Sequence, residues 1–305
     1  MNSKNQVTHW PTEAIREAIV EHLPGFTVEV LLQIDSTNSE LMRRARVGRL
    51  EPVLLLAEHQ TAGRGRLGRQ WLSGQMASPG PCGSMEGTGA SFAAGPPQDE
   101  TAPSGGSTVR AATSVGATSS LTFSLGLPLA PLDWSGLSLA VGVSVAQSLH
   151  PDLRLKWPND LWWQGRKLAG ILIETASWGA ARYAVVGVGV NILPPLDTGL
   201  ATAPAWLGEL LPGVDAAQAL ARLAAPLVQV IKLFELQGFA PFQTGFNGRD
   251  ALAGLSVTLS DGTKGVAQGV DSVGALRLRS AQGLLKISSA EVSLRPLEAP
   301  LFEDL

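Results

Sequence analysis

PVLLLAEHQTAGRGRLGRQW, residues 52–71, joins two kinds of sequence whose order constrains the fold. Pro52 to Glu58 is a short continuous apolar run of the buried-strand type. It leads into Gly63-Arg64-Gly65-Arg66-Leu67-Gly68-Arg69-Gln70-Trp71, where three arginines fall within six residues on a glycine-rich backbone. Glycine permits φ > 0 conformations in which successive amide N–H groups converge on an oxyanion, and arginine forks grip phosphate or carboxylate oxygens in pairs. A core strand ending in such a loop makes a site for a small anion such as a nucleotide phosphate. The same stretch also reads as a solvated surface turn, and pattern alone leaves both readings open. Gly63, Gly65 and Gly68 satisfy G-x-G-x-x-G, but the dinucleotide fingerprint wants an apolar helix directly after the glycines and an acidic residue about 20 positions on. Arginines fill the gaps here and the region around Gly83 to Gly89 is rich in Gly, Ser and Pro, so a Rossmann fold is rejected.

With 305 residues, 45% of them hydrophobic and 16% charged, the chain can bury one substantial core and a small satellite domain. The net charge of −3 argues against general affinity for nucleic acid or an anionic membrane, which makes the arginine cluster a local feature. Cys82 is the single cysteine, which excludes an intrachain disulfide framework or a multi-cysteine metal site. No apolar signal core is present at the N-terminus, and the apolar stretch Leu121 to Leu149 is interrupted by Pro128, Pro131 and Asp133. A cytoplasmic protein is expected.

Outward from the arginine loop, Thr12 to Leu23 reads as an amphipathic helix with Thr12 as its N-cap, Phe26 to Ile34 as a strand, and Ser39 to Val47 as a second helix. Beyond the loop, 32 of the 44 residues from Gln75 to Thr118 are Gly, Pro, Ser, Thr or Ala and show no apolar period, which predicts a disordered insertion. The core resumes with a strand at Leu121 to Leu127 and a largely apolar helix at Leu137 to Leu149. Leu153 to Trp157, Leu161 to Trp163, Leu168 to Glu174 and Tyr183 to Val190 read as a sheet of hairpins, with a turn at Gln164-Gly165. Asp215 with Gln218 starts a long helix, kinked at Pro226, whose apolar face of Leu220, Leu223, Leu227, Ile231 and Phe234 covers that sheet. Short alternating strands over 252–298 predict a small β-barrel.

Four separated clusters carry candidate chemistry: Asp35-Ser36-Thr37-Asn38, the arginine loop preceded by Gln60, Lys156-Trp157-Pro158-Asn159-Asp160 with Arg166-Lys167-Leu168-Ala169-Gly170, and Gly187 to Asn191. Ser36, Thr37, Asn38 and Gln60 supply neutral donors and acceptors suited to a small polar head group such as a ureido ring. Arg64, Arg66 and Lys167 supply cations for a carboxylate and phosphates, Asp160 an oxygen ligand for Mg²⁺, and Trp71 a stacking face for a base. Each also has a plainer reading. Asp-Ser-Thr-Asn is an N-capping string, Pro-Asn-Asp is turn chemistry, Lys167 can be a solvated strand residue, and Trp157, Trp162 and Trp163 can be core or interface packing.

Order and spacing decide between them. DSTNSE, AEHQTAGRGRLGRQW, KWPNDLWWQGRKLAGILIE and VGVGVNI, in that sequence, closely resemble the biotin protein ligases, and GVDSVGALRLRS with EVSLRP resembles that family's SH3-like domain. The likeness covers most of residues 30–298 outside the insertion. It implies an α+β fold, a mixed sheet flanked by helices as in the class II synthetase-like catalytic core, occupying 1–250, then an SH3-like domain at 251–298 and a tail at 299–305. The implied reaction joins biotin and MgATP as biotinyl-5′-AMP and passes the biotinyl group to a lysine of a biotin carboxyl carrier domain. By the same resemblance Ser36, Thr37, Asn38, Gln60, Gly63, Arg64, Arg66 and Lys167 contact biotin, and Arg66, Trp71, Asn159 and Asn191 lie by the nucleotide. Asp160 is the implied Mg²⁺ ligand, and Arg64, Arg66 and Lys167 stabilise the reacting anions.

Two departures from the family pattern stand out. Only 34 residues precede Asp35, too few for the winged DNA-binding domain of bifunctional members, so no nucleic-acid binding is expected, and no membrane partner either. The low-complexity stretch follows Trp71 closely, and Ser119-Ser120-Leu121 replaces the usual Gly-Asn-Leu-like end, which implies an altered biotin loop. The competing assignments are a lipoate or octanoate ligase or transferase of the same superfamily and a non-catalytic biotin-binding module. A monomer and a homodimer are both compatible with the sequence.

Overall fold

A computed structural model of the chain describes residues 8–71, 118–195, 202–288 and 295–296. The expected insertion, apart from Thr118, lies outside the described residues, as do Cys82 and the tail. The elements in chain order are α1 (Thr12–Val20), β1 (Thr27–Ile34), α2 (Thr37–Arg46), β2 (Val53–Gln60), β3 (Gly63–Arg64), β4 (Gln70–Trp71), β5 (Ser120–Pro128), α3 (Leu137–Leu149), β6 (Arg154–Lys156), β7 (Asp160–Trp163), β8 (Arg166–Trp178) and β9 (Ala181–Asn191). They continue with α4 (Ala216–Gln237), α5 (Gln243–Asn247), β10 (Ser256–Thr258), β11 (Lys264–Val270), β12 (Leu276–Ser280), β13 (Gly283–Ile287) and β14 (Arg295–Pro296).

Seven strands form one mixed sheet in the order β1-β2-β5-β9-β8-β7-β6, with β1 parallel to β2 and every other neighbour antiparallel. This is the expected α+β architecture, and it is incompatible with a doubly wound parallel sheet. One face is covered by α3, whose residues are apolar almost all round, and α4 packs chiefly on α3 and reaches the sheet at β5. The expected direct cover of the sheet by α4 is therefore corrected: α3 is hydrophobic all round because it is sandwiched, and α4 is amphipathic because it is the outer layer. On α4, Leu220, Leu223, Leu227, Ile231 and Phe234 are buried, and the helix is one 22-residue element through Pro226. Its Asp215 carboxylate accepts from the Gln218 N–H at 2.7 Å, as the capping box predicts. Among the described residues, the helix on the opposite face of the sheet is α2, seated through Leu41, Met42 and Ala45 on Val53, Leu55, Tyr183 and Val185.

Two helix starts differ from expectation. Thr12 is the first helical residue and not the cap, because its N–H already donates to the Trp10 carbonyl at 2.9 Å and Pro11 takes the N-cap position. Helix α2 begins at Thr37, two residues early, because Ser36 Oγ accepts from the Ser39 N–H and so caps it.

The C-terminal strands form a five-stranded antiparallel sheet of the SH3-like type, ordered β13-β12-β11-β10-β14. It is joined to the larger unit by named bonds. Trp157 Nε1 donates to the Gly274 carbonyl at 3.2 Å, and the Val270 N–H donates to Asn247 Oδ1 at 2.8 Å. Gly274 cannot carry a side chain, since a Cβ there would sit 2.8 Å from the Gly136 Cα and φ is +83°.

At this junction Asp250 is buried, its Oδ1 accepts from the Leu252 N–H, and its Oδ2 has no partner among the described residues. Burial pushes its pKa up to about 6. A carboxyl whose folded pKa exceeds its unfolded value stabilises the fold fully below the unfolded pKa and loses that contribution as pH rises to about 6. Asp250→Asn keeps the acceptor for Leu252 and removes the charge. The variant is expected to gain about 1–3 kcal/mol over the parent at pH 7.5 and almost nothing near pH 4, measured by urea unfolding at both values. An equal difference at the two pH values would contradict this. No helix among the described residues is long and apolar enough to cross a membrane.

Candidate active site

The site is built on the α2 face of the sheet, where adjacent strands place their residues in register. Thr122 on β5 lies opposite Gly189 on β9, Gly189 opposite Gly170 on β8, and Gly170 opposite Asp160 on β7. The next row along runs Ser124, Gly187, Leu172. Glycine at three of these positions makes a sunken floor. A Cβ on Gly189 would stand 2.5 Å from Trp71 Cε2, and one on Gly187 would stand 2.2 Å from Asn38 Oδ1. Above this floor lies a cleft of about 270 Å³, lined by α2's first turn, the arginine loop and the 156–160 turn.

A β-bulge brings Lys167 into it. Alternation along β8 would put Lys167 and Gly170, three residues apart, on opposite faces, yet both line the cleft. Between β7 and β8 the register shifts, so that Trp162 faces Lys167 while Leu161 faces Ala169. The extra residue inverts the phase of the strand. Lys167 Nζ then reaches Asp160 Oδ1 at 2.7 Å.

The arginine loop has a different architecture from the one its glycines predict. Strands β3 and β4 pair as a hairpin, Gly63 with Trp71 and Arg64 with Gln70, around a single 3₁₀ turn at Arg66–Gly68. The Gly65 N–H donates to the Arg69 carbonyl at 2.7 Å, and the Arg69 N–H to that of Arg66. These two amides are spent on the turn and are not offered to an anion. Gly68 alone in the loop has positive φ, at +72°. Gly63 is required for space, since its Cβ would lie 2.4 Å from the Trp71 carbonyl oxygen.

Of the residues singled out by sequence, Ser36, Thr37, Asn38, Gln60, Arg64, Arg66, Trp71, Asn159, Asp160 and Lys167 all line the one cleft. Gly63 and Asn191 do not; Asn191 is buried at the end of β9 and donates to the Ala205 carbonyl at 3.0 Å. The polar cluster is closely bonded within itself. Gln60 Oε1 accepts from both the Thr37 N–H and hydroxyl, while Asn38 Nδ2 donates to the Leu172 carbonyl and to Glu174 Oε2. The Ser124 hydroxyl lies 2.7 Å from Thr37 Oγ1 and 2.6 Å from Asn38 Oδ1. Asp35 stands outside the cleft, forked by Arg43, which lowers its pKa to about 2. Arg66 is half-buried, and its pKa is drawn down by that burial against the opposing pull of Asp160.

Sequence reasoning missed Ser124, Glu174 and Thr122. Each is an ordinary polar residue on a strand, and only the sheet register brings it to the cleft or to Asn38. Trp157 packs as core, fully buried, and also lines the cleft. Trp162 and Trp163 carry Lys156 and Arg166 over their rings.

The cleft gathers neutral donors and acceptors together with the cations Arg64, Arg66 and Lys167 on an antiparallel platform with a small β-domain attached, a lining suited to a ligase that activates a carboxylate. A model described as the biotin/lipoate A/B protein ligase family matches residues 101–191, and one described as the biotin protein ligase C terminal domain matches 256–295. The bifunctional ligase/repressor BirA of Escherichia coli (strain K12) is 32% identical, over 92% of this chain and 78% of its own. The biotin--[acetyl-CoA-carboxylase] ligase of Paracoccus denitrificans is 33% identical, over 86% of this chain and 98% of its own. Among solved structures, the biotin protein ligase from Aquifex aeolicus in complex with biotin and ATP matches with a TM-score of 0.65 at 25% identity, covering 88% of this chain and 99% of that one. The chain belongs to the biotin protein ligase family.

Proposed function

We propose that the chain is an ATP-dependent biotin–[acetyl-CoA-carboxylase] ligase, which forms biotinyl-5′-AMP and transfers the biotinyl group to a lysine of a biotin carboxyl carrier domain. The observation that carries this reading is the gathering of Thr37, Gln60, Arg64, Arg66, Asp160 and Lys167, from five separate segments, around a single cleft. The Thr37–Gln60–Ser124 network supplies dipoles, held in place by their mutual bonds, for the ureido head group, to which a dithiolane or alkyl chain has no matching donor or acceptor.

Among the cations of the cleft, a carboxylate oxygen of biotin attacks the α-phosphorus of ATP, the bond from that phosphorus to the oxygen bridging to the β-phosphate breaks, and pyrophosphate leaves. Two anions must approach one another, and Lys167, Arg64 and Arg66 offset their repulsion as charge builds in the transition state. The acceptor lysine, as free amine, then attacks the mixed anhydride and AMP departs. No covalent bond to the enzyme is needed. Trp71, held over Gly189 and Gly170, offers its indole to the adenine, with Asn159 beside it.

Asp160 is a single carboxylate, and no group of three His, Cys, Asp or Glu is gathered among the described residues. That donor set suits Mg²⁺, which is ordinarily held by one or two carboxylates and the substrate phosphates, and not a resident metal. When bound, the ion supplies charge neutralisation to the phosphates, with Asp160 as its protein ligand.

The deciding experiment is ATP–pyrophosphate exchange with biotin or lipoate as the acid. Biotin-dependent exchange supports the ligase, lipoate-dependent exchange would reassign the substrate, and exchange with neither would leave a binding module. A second measurement tests the floor. Gly189→Ala must displace Trp71, and is expected to raise KM for ATP by about tenfold or more while changing biotin affinity little, since overpacking costs about 1–3 kcal/mol. Equal losses for both ligands would refute the assignment of Trp71 to the nucleotide.

A further inference from the structure

Glu174 lies on β8 in the same facing row as Gly170 and Leu172, just beyond the cleft lining. Its side chain is only 20% exposed, and its two oxygens serve two parts of the site. Oε1 accepts from Arg64 Nη1 at 3.0 Å, and Oε2 accepts from Asn38 Nδ2 at 3.1 Å. Arg64 uses Nη1 alone in this contact, which leaves its Nε and Nη2 donors for a second anion. Asn38 spends both amide protons, one on Glu174 and one on the Leu172 carbonyl, while its Oδ1 faces the Ser124 hydroxyl. The Asn38 amide is therefore a fixed strut under the polar cluster and has no proton left to donate to a ligand.

Resting on the ligase reading, we infer that Glu174 is a positioning residue that ties the arginine loop to the polar cluster, fixing the Arg64 guanidinium for the adenylate phosphate chiefly through Oε1 and the Asn38 amide beneath the biotin head through Oε2. An exposed ion pair between flexible side chains contributes little. Here the carboxylate is mostly withdrawn from water and is tied on its other side to a buried amide, so the arginine is held before any ligand arrives, and less ordering is left to be done on binding. The link crosses 110 positions of sequence, from the hairpin to the sheet.

The test uses the full chain with Glu174→Ala and Glu174→Gln, each alone and with Arg64→Ala. Glu174→Ala is expected to lower kcat/KM for biotin in pyrophosphate exchange by about ten- to a hundredfold, and to add less than about threefold in the Arg64→Ala background, because residues acting as a unit are not additive. Glu174→Gln retains one acceptor and is expected to fall between Glu174→Ala and the unmodified chain. In the absence of ligands, Glu174→Ala is also expected to speed tryptic cleavage within Arg64–Arg69 at an unchanged unfolding midpoint. Exchange unaffected by Glu174→Ala, or losses that multiply in the double variant, would overturn the inference. Absence of biotin-dependent exchange in the unmodified chain would overturn the ligase reading itself. Should Glu174→Ala fail to fold, Glu174→Gln decides by the same double-variant comparison.

Discussion

Lys167→Ala is expected to lower biotin-dependent ATP–pyrophosphate exchange by about 10²- to 10³-fold, the loss typical of removing one preorganised electrostatic contact to a transition state. The reason is local. Lys167 Nζ stands 2.7 Å from Asp160 Oδ1, and both side chains line the cleft. Truncation removes a cation and also leaves the Asp160 carboxylate without its ion-pair partner beside two substrate anions. Lys167→Arg is not a full rescue, since a planar fork replaces a compact ammonium whose end already packs about Gly170, where a Cβ would be 3.3 Å away. The loss should appear mainly in kcat, with chain stability nearly unchanged because the ion pair is part-exposed. Exchange within about threefold of the unmodified chain would remove Lys167 from the proposed machinery.

Trp157→Ala is expected to destabilise the chain by about 3–5 kcal/mol, the range for emptying a buried aromatic site. Trp157 is 1% exposed and belongs to the main core, and its Nε1 donates to the Gly274 carbonyl in the C-terminal sheet. It is followed directly by Pro158, Asn159 and Asp160, which line the cleft, so its loss should lower exchange activity as well as stability. Trp157→Phe keeps an aromatic ring but removes part of the indole together with its N–H, leaving a small void and the Gly274 carbonyl without this donor, and is expected to cost about 1–3 kcal/mol. Urea unfolding of both variants checks the pair. A Trp157→Ala variant within about 1 kcal/mol of the parent would show that the site collapses without penalty and that the C-terminal sheet is not anchored there.

Much of the fold was legible because its signals are local. The apolar run at Pro52 to Glu58, the capping pair Asp215 and Gln218, and the apolar spacing from Leu220 to Phe234 each report an element through residues a few positions apart. Strand ends were less so. Strand β8 continues past Glu174 to Trp178, and β9 starts at Ala181, as a long hairpin arm whose residues are largely exposed and therefore carry no apolar alternation to read. The capping reading of Asp-Ser-Thr-Asn is met by Ser36, the cap of α2, and Ser36 also lines the cleft together with Thr37 and Asn38.

The order of elements, the four clusters and the family they resemble follow from residue type and chain order, which are properties of one dimension. It took the folded arrangement to bond the Gly65 and Arg69 amides to carbonyls of their own loop, to lay Gly187 and Gly189 as a floor beneath Asn38 and Trp71, and to bring Lys167 to Asp160. Those facts depend on register and on a bulge between neighbouring strands. A one-residue shift in pairing sends a side chain to the opposite face, and the partner that sets the pairing can lie anywhere along the chain, as Glu174 lies 110 residues from Arg64.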